Sequence, residues 1–338
     1  MNKLVFSIET SCDETSVAII DNNRNILSHI TINQGDHSKF GGVVPEIASR
    51  SHLQILQRII PESLKQAGIK ISNIDLFSAT CGPGLIGGLL IGSTIAKAIA
   101  LGLNKPFFPI NHLEGHLLST MFSEKIMFPH IALLLTGGHT QIYLVKSIGK
   151  YTLLGETVDD AIGESFDKVA KLIGHNYPGG AKIEKLALQG NSEKYKLPHP
   201  LQYKKDLNFS FSGIKTAVSL IVKNEKKLNN ENKKDIAASF QSMIVKILEV
   251  RTKSAFEFLI NKNHKIKYLS VVGGVAANKK IKETLSKIAS KYGCQLVSPP
   301  LNLCGDNAAM IANVCLEHHK LDLKPNLYFN PNPRLSLY

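Results

Sequence analysis

The chain has 338 residues, 43% of them hydrophobic, and a net charge of +13. That length exceeds what one simple core organises and points to two domains, while the apolar fraction excludes wholesale disorder. The charge is one-sided: residues 1–193 hold 16 Lys+Arg against 17 Asp+Glu, and residues 194–338 hold 24 against 10, an excess that suits a polyanion such as nucleic acid.

In chain order, residues 3–9 and 15–21 are apolar runs around the polar turn Thr10-Ser11-Cys12-Asp13-Glu14, the pattern of a β-hairpin. A secretory or organellar leader is not expected, because Glu9, Asp13 and Glu14 follow the first apolar run at once. A third strand is expected near 25–31. A helix is expected over 45–67, with Pro45 near its first turn and Gly68 just past its end. Residues 76–80 read as a short strand running into Gly82-Pro83-Gly84-Leu85-Ile86-Gly87-Gly88 and a helix. The apolar stretch 84–103 contains Ser93, Thr94 and Lys97, so a buried helix explains it better than a membrane span. Residues 107–110 form another strand, leading into a helix that begins at His112.

The pattern then restarts. Residues 131–136, a turn Gly137-Gly138-His139 and residues 140–145 make a second apolar hairpin. Later, residues 268–272 enter Gly273-Gly274-Val275-Ala276-Ala277-Asn278 and a helix. Each half thus has a hairpin and a strand–glycine–helix junction, as expected of two related α/β domains about a cleft. The expected divisions are 1–128, 129–299 and a C-terminal segment 300–338 that returns Asp306 to the first domain. Residues 188–234 read as a basic connecting region. The five cysteines, Cys12, Cys81, Cys294, Cys304 and Cys315, show no paired short spacing, which fits a reduced cytoplasm and excludes a zinc knuckle.

His112 and His116 are four residues apart and project from one helix face, a spacing suited to Zn or Fe. Glu114 is two residues after His112, about 200° round the helix, whereas a zinc protease of the His-Glu-x-x-His type needs its glutamate directly after the first histidine. A third ligand is needed. Asp306 is a candidate, although it reads equally well as a helix N-cap. The Thr136-Gly137-Gly138 and Gly273-Gly274-Val275 turns let backbone N–H groups approach a phosphate, with an ordinary tight turn as the competing reading. Tyr177-Pro178-Gly179-Gly180 is a third such turn. Glu9, Asp13 and Glu14 are candidates to orient a reactive group or water, against the alternative of a solvated turn, and Cys12 reads as a small buried residue.

Several segments together resemble one family. They are Ile8-Glu9-Thr10-Ser11-Cys12-Asp13-Glu14-Thr15, Gly41-Gly42-Val43-Val44-Pro45-Glu46-Ile47-Ala48-Ser49-Arg50, Gly82-Pro83-Gly84-Leu85, His112-Leu113-Glu114-Gly115-His116 and Thr136-Gly137-Gly138-His139-Thr140. Gly163-Glu164-Ser165-Phe166-Asp167-Lys168, Phe211-Ser212-Gly213-Ile214-Lys215-Thr216, Gly273-Gly274-Val275-Ala276-Ala277-Asn278 and Cys304-Gly305-Asp306-Asn307 complete the set. Over essentially its whole length the chain resembles the tRNA N6-adenosine threonylcarbamoyltransferase family, TsaD, which has also carried the label O-sialoglycoprotein endopeptidase.

The resemblance implies the two-lobed actin-like fold shared by actin, sugar kinases and heat-shock ATPases. It implies transfer of threonylcarbamoyl from threonylcarbamoyl-AMP to N6 of the adenosine at tRNA position 37, in tRNAs reading codons that begin with adenine, with release of AMP. The implied metal ligands are His112, His116 and Asp306, holding one Fe2+ or Zn2+. The implied substrate positions are Leu134, Leu135, Thr136, Gly137, Gly138, Asp167, Gly180 and Asn278; Thr136 stands where many members have serine. Asp13 and Glu14 are the catalytic candidates, and the basic C-terminal part, exemplified by Lys204, Lys205, Lys226 and Lys227, would grip tRNA. Implied partners are TsaB and TsaE in a bacterial cytoplasm, with a homodimer as the other arrangement. The competing functions are a metalloprotease and a non-catalytic ATP-binding module.

Overall fold

The structure is a computed structural model that describes residues 3–35, 43–124, 126–202, 204, 206–225 and 228–337. Gly41 and Gly42 of the second motif, and Lys205, Lys226 and Lys227, lie outside the described residues. The chain divides into two compact units, Met1–Phe122 with Gly305–Tyr338, and Ser123–Cys304.

The first unit is built on a five-stranded sheet in the order β3-β2-β1-β4-β5. Its strands are β1 (Leu4–Glu9), β2 (Glu14–Asp21), β3 (Ile26–Asn33), β4 (Leu76–Gly82) and β5 (Phe107–Asn111). The first three pair antiparallel, and β4 and β5 add on parallel to β1. Helix α1 (Pro45–Ala67) opens with Pro45 in its first turn and closes on Gly68 in the left-handed conformation, φ 68°. Helix α2 (Ile86–Gly102) follows the glycine-rich segment after β4. Phe6, Ile8, Val17, Ile19, Leu56, Ile59, Phe77 and Ala96 form the apolar layer between sheet and helices.

The second unit repeats that plan. Its strands are β6 (His130–Leu135), β7 (Thr140–Ser147), β8 (Lys150–Glu156), β9 (Tyr268–Val272) and β10 (Gln295–Val297). The sheet order is β10-β9-β6-β7-β8, so each sheet has a meander of three strands followed by two parallel additions on the far side of the first. Its helices are α4 (Ile162–Leu172), α5 (Gly180–Ala187), α6 (Ser212–Asn224), α7 (Asn230–Asn261) and α8 (Lys279–Lys291). The short α3 (His112–Leu118) and the C-terminal α9 (Ala308–Lys320) belong to the first unit.

Two sequence expectations change. Residues 188–234 are not merely a connection, because α6 and the start of α7 lie there; only Ile214 and Val218 of α6 are buried, too thin a stripe to stand out among its lysines. The unit boundaries fall near 122 and 304 rather than 128 and 299. Ser123 Oγ donates to the Ser298 carbonyl at 2.8 Å and Gln295 Nε2 to Glu124 Oε2 at 2.8 Å, which ties 123–124 to the second unit. All five cysteines are free, and among the described residues no helix is long and apolar enough to cross a membrane.

Candidate metal centre and nucleotide loops

Strand β5 delivers the chain directly into α3. Asn111 ends the strand and caps the helix, its Oδ1 accepting from Leu113 N at 2.9 Å and Glu114 N at 3.4 Å. All seven residues of α3 are buried. The His112 and His116 rings lie 4.8 Å apart at 86°. Asp306 joins them: its Oδ1 is 3.0 Å from His116 Nε2 and 3.6 Å from His112 Nε2. One ligand atom from each of the three residues lies within 4.8 Å of the other two. The cap of α9 belongs instead to Asn307, whose Oδ1 accepts from Met310 N at 2.9 Å. The N-cap reading of Asp306 is therefore displaced by one residue, which leaves the Asp306 carboxylate to face the histidines.

Glu9 supports this group from behind. It is fully buried at the end of β1, accepts from Ser11 N at 2.6 Å and from Thr80 Oγ1, and meets His112 Nδ1 at 3.1 Å. Burial pushes its carboxyl up, but the adjacent His112 outweighs that and holds it below its ordinary value. Burial pulls His112 down, and Asp306 and Glu9 reverse this to bring it to about 9. A carboxylate on Nδ1 that leaves Nε2 towards the site is the usual outer support of a metal-bound histidine. The donor set of two imidazoles and one carboxylate fits a divalent transition metal with open positions. The local charge is consistent with this: burial, then the negative charges of Asp306 and Asp13, push the half-buried Glu14 carboxyl well up, and a cation would relieve that surplus.

The acidic cluster of the first hairpin is thus divided. Glu9 serves His112, while Asp13 and Glu14 remain near Asp306. His52 of α1 braces the turn, with Nδ1 2.8 Å from Thr15 Oγ1 and Nε2 3.0 Å from the Cys12 carbonyl. Sequence reading missed this residue; its only signal is a histidine on the apolar face of a helix. Cys12 is half-buried, and burial followed by Asp13 and Asp306 pushes its thiol far up, so it holds no thiolate nucleophile. Glu114 points away from the ligand histidines to His318 of α9, 3.1 Å from its Nε2, as the helical angle requires.

In the second unit, the turn between β6 and β7 is built from backbone. Leu134 and Leu135 are buried at the end of β6. Thr136 closes the turn by accepting from His139 N on its hydroxyl at 2.9 Å, while Thr136 N donates to the His139 carbonyl at 2.9 Å. Gly137 and Gly138 are exposed, and open space lies where their Cβ atoms would stand. Gly163, in the first turn of α4, approaches so closely that a Cβ there would sit 2.8 Å from Gly137 Cα. Asp167, one turn on, accepts from Gly179 N at 2.7 Å and so holds the turn before Gly180. Gly273, at φ 93°, brings the β9 junction against the Leu135 carbonyl. Asn278 caps α8 through Ile281 N at 3.1 Å and donates to Gln241 Oε1 at 2.9 Å. The structure therefore gathers Leu134–Gly138 with Asp167 around α4, and Asn278 has a clear architectural task of its own. Lys204 is exposed.

The chain is similar to known proteins over most of its length. The family model described as TsaD, tRNA N6-adenosine threonylcarbamoyltransferase, matches residues 25–313. A tRNA N6-adenosine threonylcarbamoyltransferase of Rickettsia rickettsii (strain Sheila Smith) is 47% identical over 336 residues, covering 98% of each chain. One from Brucella anthropi is 43% identical over 340 residues, covering 98% of this chain and 95% of that one. Among solved structures, T. kodakarensis HypF aligns with 95% of this chain and 48% of its own at a TM-score of 0.58 and 15% identity. Component A of the Acidaminococcus fermentans (R)-2-hydroxyglutaryl-CoA dehydratase aligns with 96% of this chain and 100% of its own at 0.52 and 14%. These two likenesses show the fold, which is of the actin-like ATPase type.

Proposed function

The chain belongs to the tRNA N6-adenosine threonylcarbamoyltransferase (TsaD) family, and on that premise we propose that it transfers threonylcarbamoyl from threonylcarbamoyl-AMP to N6 of the adenosine at tRNA position 37. The N6 amine attacks the carbamoyl carbon, the bond from that carbon to the phosphate oxygen breaks, AMP departs with the electron pair, and the amine loses a proton. An aromatic amine is a weak nucleophile, but the acyl-adenylate has a good leaving group. The protein's work is therefore positioning and charge stabilisation.

His112, His116 and Asp306 hold one divalent cation, Fe2+ or Zn2+, with Glu9 fixing the His112 tautomer. Bound there, the cation supplies Lewis-acid stabilisation of negative charge on the substrate. The N–H groups of Gly137 and Gly138 bind phosphate, and Leu134, Leu135, Thr136, Asp167, Gly180 and Asn278 shape the nucleotide site. Asp13 and Glu14 orient the amine and take its proton. Residues 194–338, with their charge excess, bind the tRNA backbone. The proposed setting is the cytoplasm, with TsaB and TsaE as partners or the chain as a homodimer.

The observation that carries this reading is the near-end-to-end identity to curated transferases in a chain that also assembles the His112, His116 and Asp306 triad. A protease is not favoured, because Glu114 is engaged by His318 and is not placed to activate water at the ligand histidines. The test is incubation with threonylcarbamoyl-AMP and unmodified tRNA, with and without TsaB and TsaE. Modified adenosine and AMP are expected in equal amounts; no product even with both partners present would remove the transferase reading.

A further inference from the structure

Two motifs, Gly163–Lys168 and Phe211–Thr216 (residues 163–168 and 211–216), find no place in the metal centre, and only the first touches the nucleotide loop. They meet at a cavity of about 450 Å3 between α4 and α6, lined by Lys168, Lys171, Lys215, Thr216, Ser219 and Lys223 together with Leu172 and Leu220. Two aspartates in the preceding loop build it. Asp159 fixes the start of α6, its Oδ1 accepting from Phe211 N at 2.8 Å and its Oδ2 from Ser212 Oγ at 2.7 Å. Asp160 bridges the helices, with Oδ1 2.8 Å from Lys168 Nζ and Oδ2 2.8 Å from Lys215 Nζ. Glu164 is the other partner of Lys168, at 2.7 Å. Lys171 and Lys223, in the last turns of α4 and α6, make no ion pair among the described residues. The four lysines of the groove thus outnumber the three carboxylates, Asp159, Asp160 and Glu164.

We propose that this groove between α4 and α6 is a subsite for the sugar–phosphate backbone of the RNA substrate, an inference that rests on the transferase reading. Lys215 and Lys223 are eight residues apart on one helix, about 12 Å, a span long enough to reach more than one phosphate of a strand. Thr216 and Ser219 place hydroxyls between those lysines, and lysine and hydroxyl groups together are the common partners of phosphate oxygens. Leu220, 55% exposed, offers an apolar surface for ribose. Helix α4 links the groove to the nucleotide loop within the same unit: Gly163 abuts Gly137, and Lys171 lies about 12 Å further along the helix axis. An acidic protein helix would meet the same lysines, but the intervening hydroxyls and the RNA substrate of the reaction favour the backbone.

The test uses the full chain and an unmodified tRNA transcript, with binding followed by fluorescence anisotropy across a salt series. The pair Lys171→Gln/Lys223→Gln is expected to raise Kd about tenfold at low salt and to flatten the log Kd against log salt slope by about 1.5. The pair Lys146→Gln/Lys150→Gln removes the same charge from exposed positions of the same unit outside residues 194–338 and is expected to stay within about twofold of wild type. At saturating tRNA the groove variant should keep kcat while KM for tRNA rises. Wild-type binding by the groove variant overturns the inference and leaves the groove to another anion, such as an acidic protein. An equal loss in the control pair overturns it as a mere net-charge effect. Failure of the wild-type chain to modify tRNA would instead sink the transferase reading, whatever the binding data show.

Discussion

The turn between β1 and β2 and the turn between β6 and β7 occupy the same place in two sheets of the same strand order, yet they carry different chemistry. The first presents side chains: Glu9 at its start, then Asp13 and Glu14, braced by His52 and set beside two histidines and Asp306. The second presents backbone: Gly137 and Gly138 open to solvent, held by the Thr136 hydroxyl and by the close approach of Gly163. The same topological slot is thus acidic when filled with carboxylates and a row of open backbone N–H groups when emptied to glycine, chemistries that suit opposite charges.

The comparison breaks most readily at the metal. His112→Ala and His116→Ala should each cut bound metal, measured by plasma emission, from about one per chain to near zero, because a ligand is lost outright. Unchanged content would exclude them as ligands. Next in size is a pH effect confined to the second unit. Burial pulls His130, stacked on Phe128, from 6.5 down to about 4. The unfolded chain therefore binds a proton that the folded chain refuses between those values. Its contribution to stability is full above pH 6.5 and falls by about 3 kcal/mol as the pH drops to about 4. Denaturant midpoints across that window should show the slope, and His130→Phe should reduce it.

Two smaller effects sharpen the contrast. Glu9→Gln should weaken metal affinity by about 10- to 100-fold, read by competition with a chelating dye, while leaving the three ligands in place. Gly163→Ala should cost about 1–2 kcal/mol in urea unfolding, since its Cβ meets the Gly137 backbone. Gly137→Ala points into open space and should cost less than half of that, while still weakening adenylate binding by crowding the site.

Much of this was legible in the chain. The hairpin and glycine junction of each half, the Pro45 and Gly68 ends of α1, and the pairing of His112 with His116 follow from local rules of turns, caps and helical spacing. What was not legible depends on the partner an element meets. Strand β10 has only three residues, and α6 buries only two side chains, so neither shows a period. Asp306 and Asn307 are both good caps by type, and only packing assigns the cap to Asn307. Glu9 looked like one of three turn acids until β4 and α3 supplied Thr80 and His112 as its partners.

The central claim is that the histidine pair serves acyl transfer to tRNA while Glu114 is structural. Transfer of labelled threonylcarbamoyl from its adenylate to unmodified tRNA, run in parallel for wild type, Glu114→Gln and His116→Ala with the same partner proteins present, tests it most directly. The expected result is transfer by Glu114→Gln within about tenfold of wild type and at least a hundredfold loss in His116→Ala, a gap of about 1.4 kcal/mol or more in transition-state stabilisation. Full transfer by His116→Ala, or a loss in Glu114→Gln as deep as in His116→Ala, would contradict it.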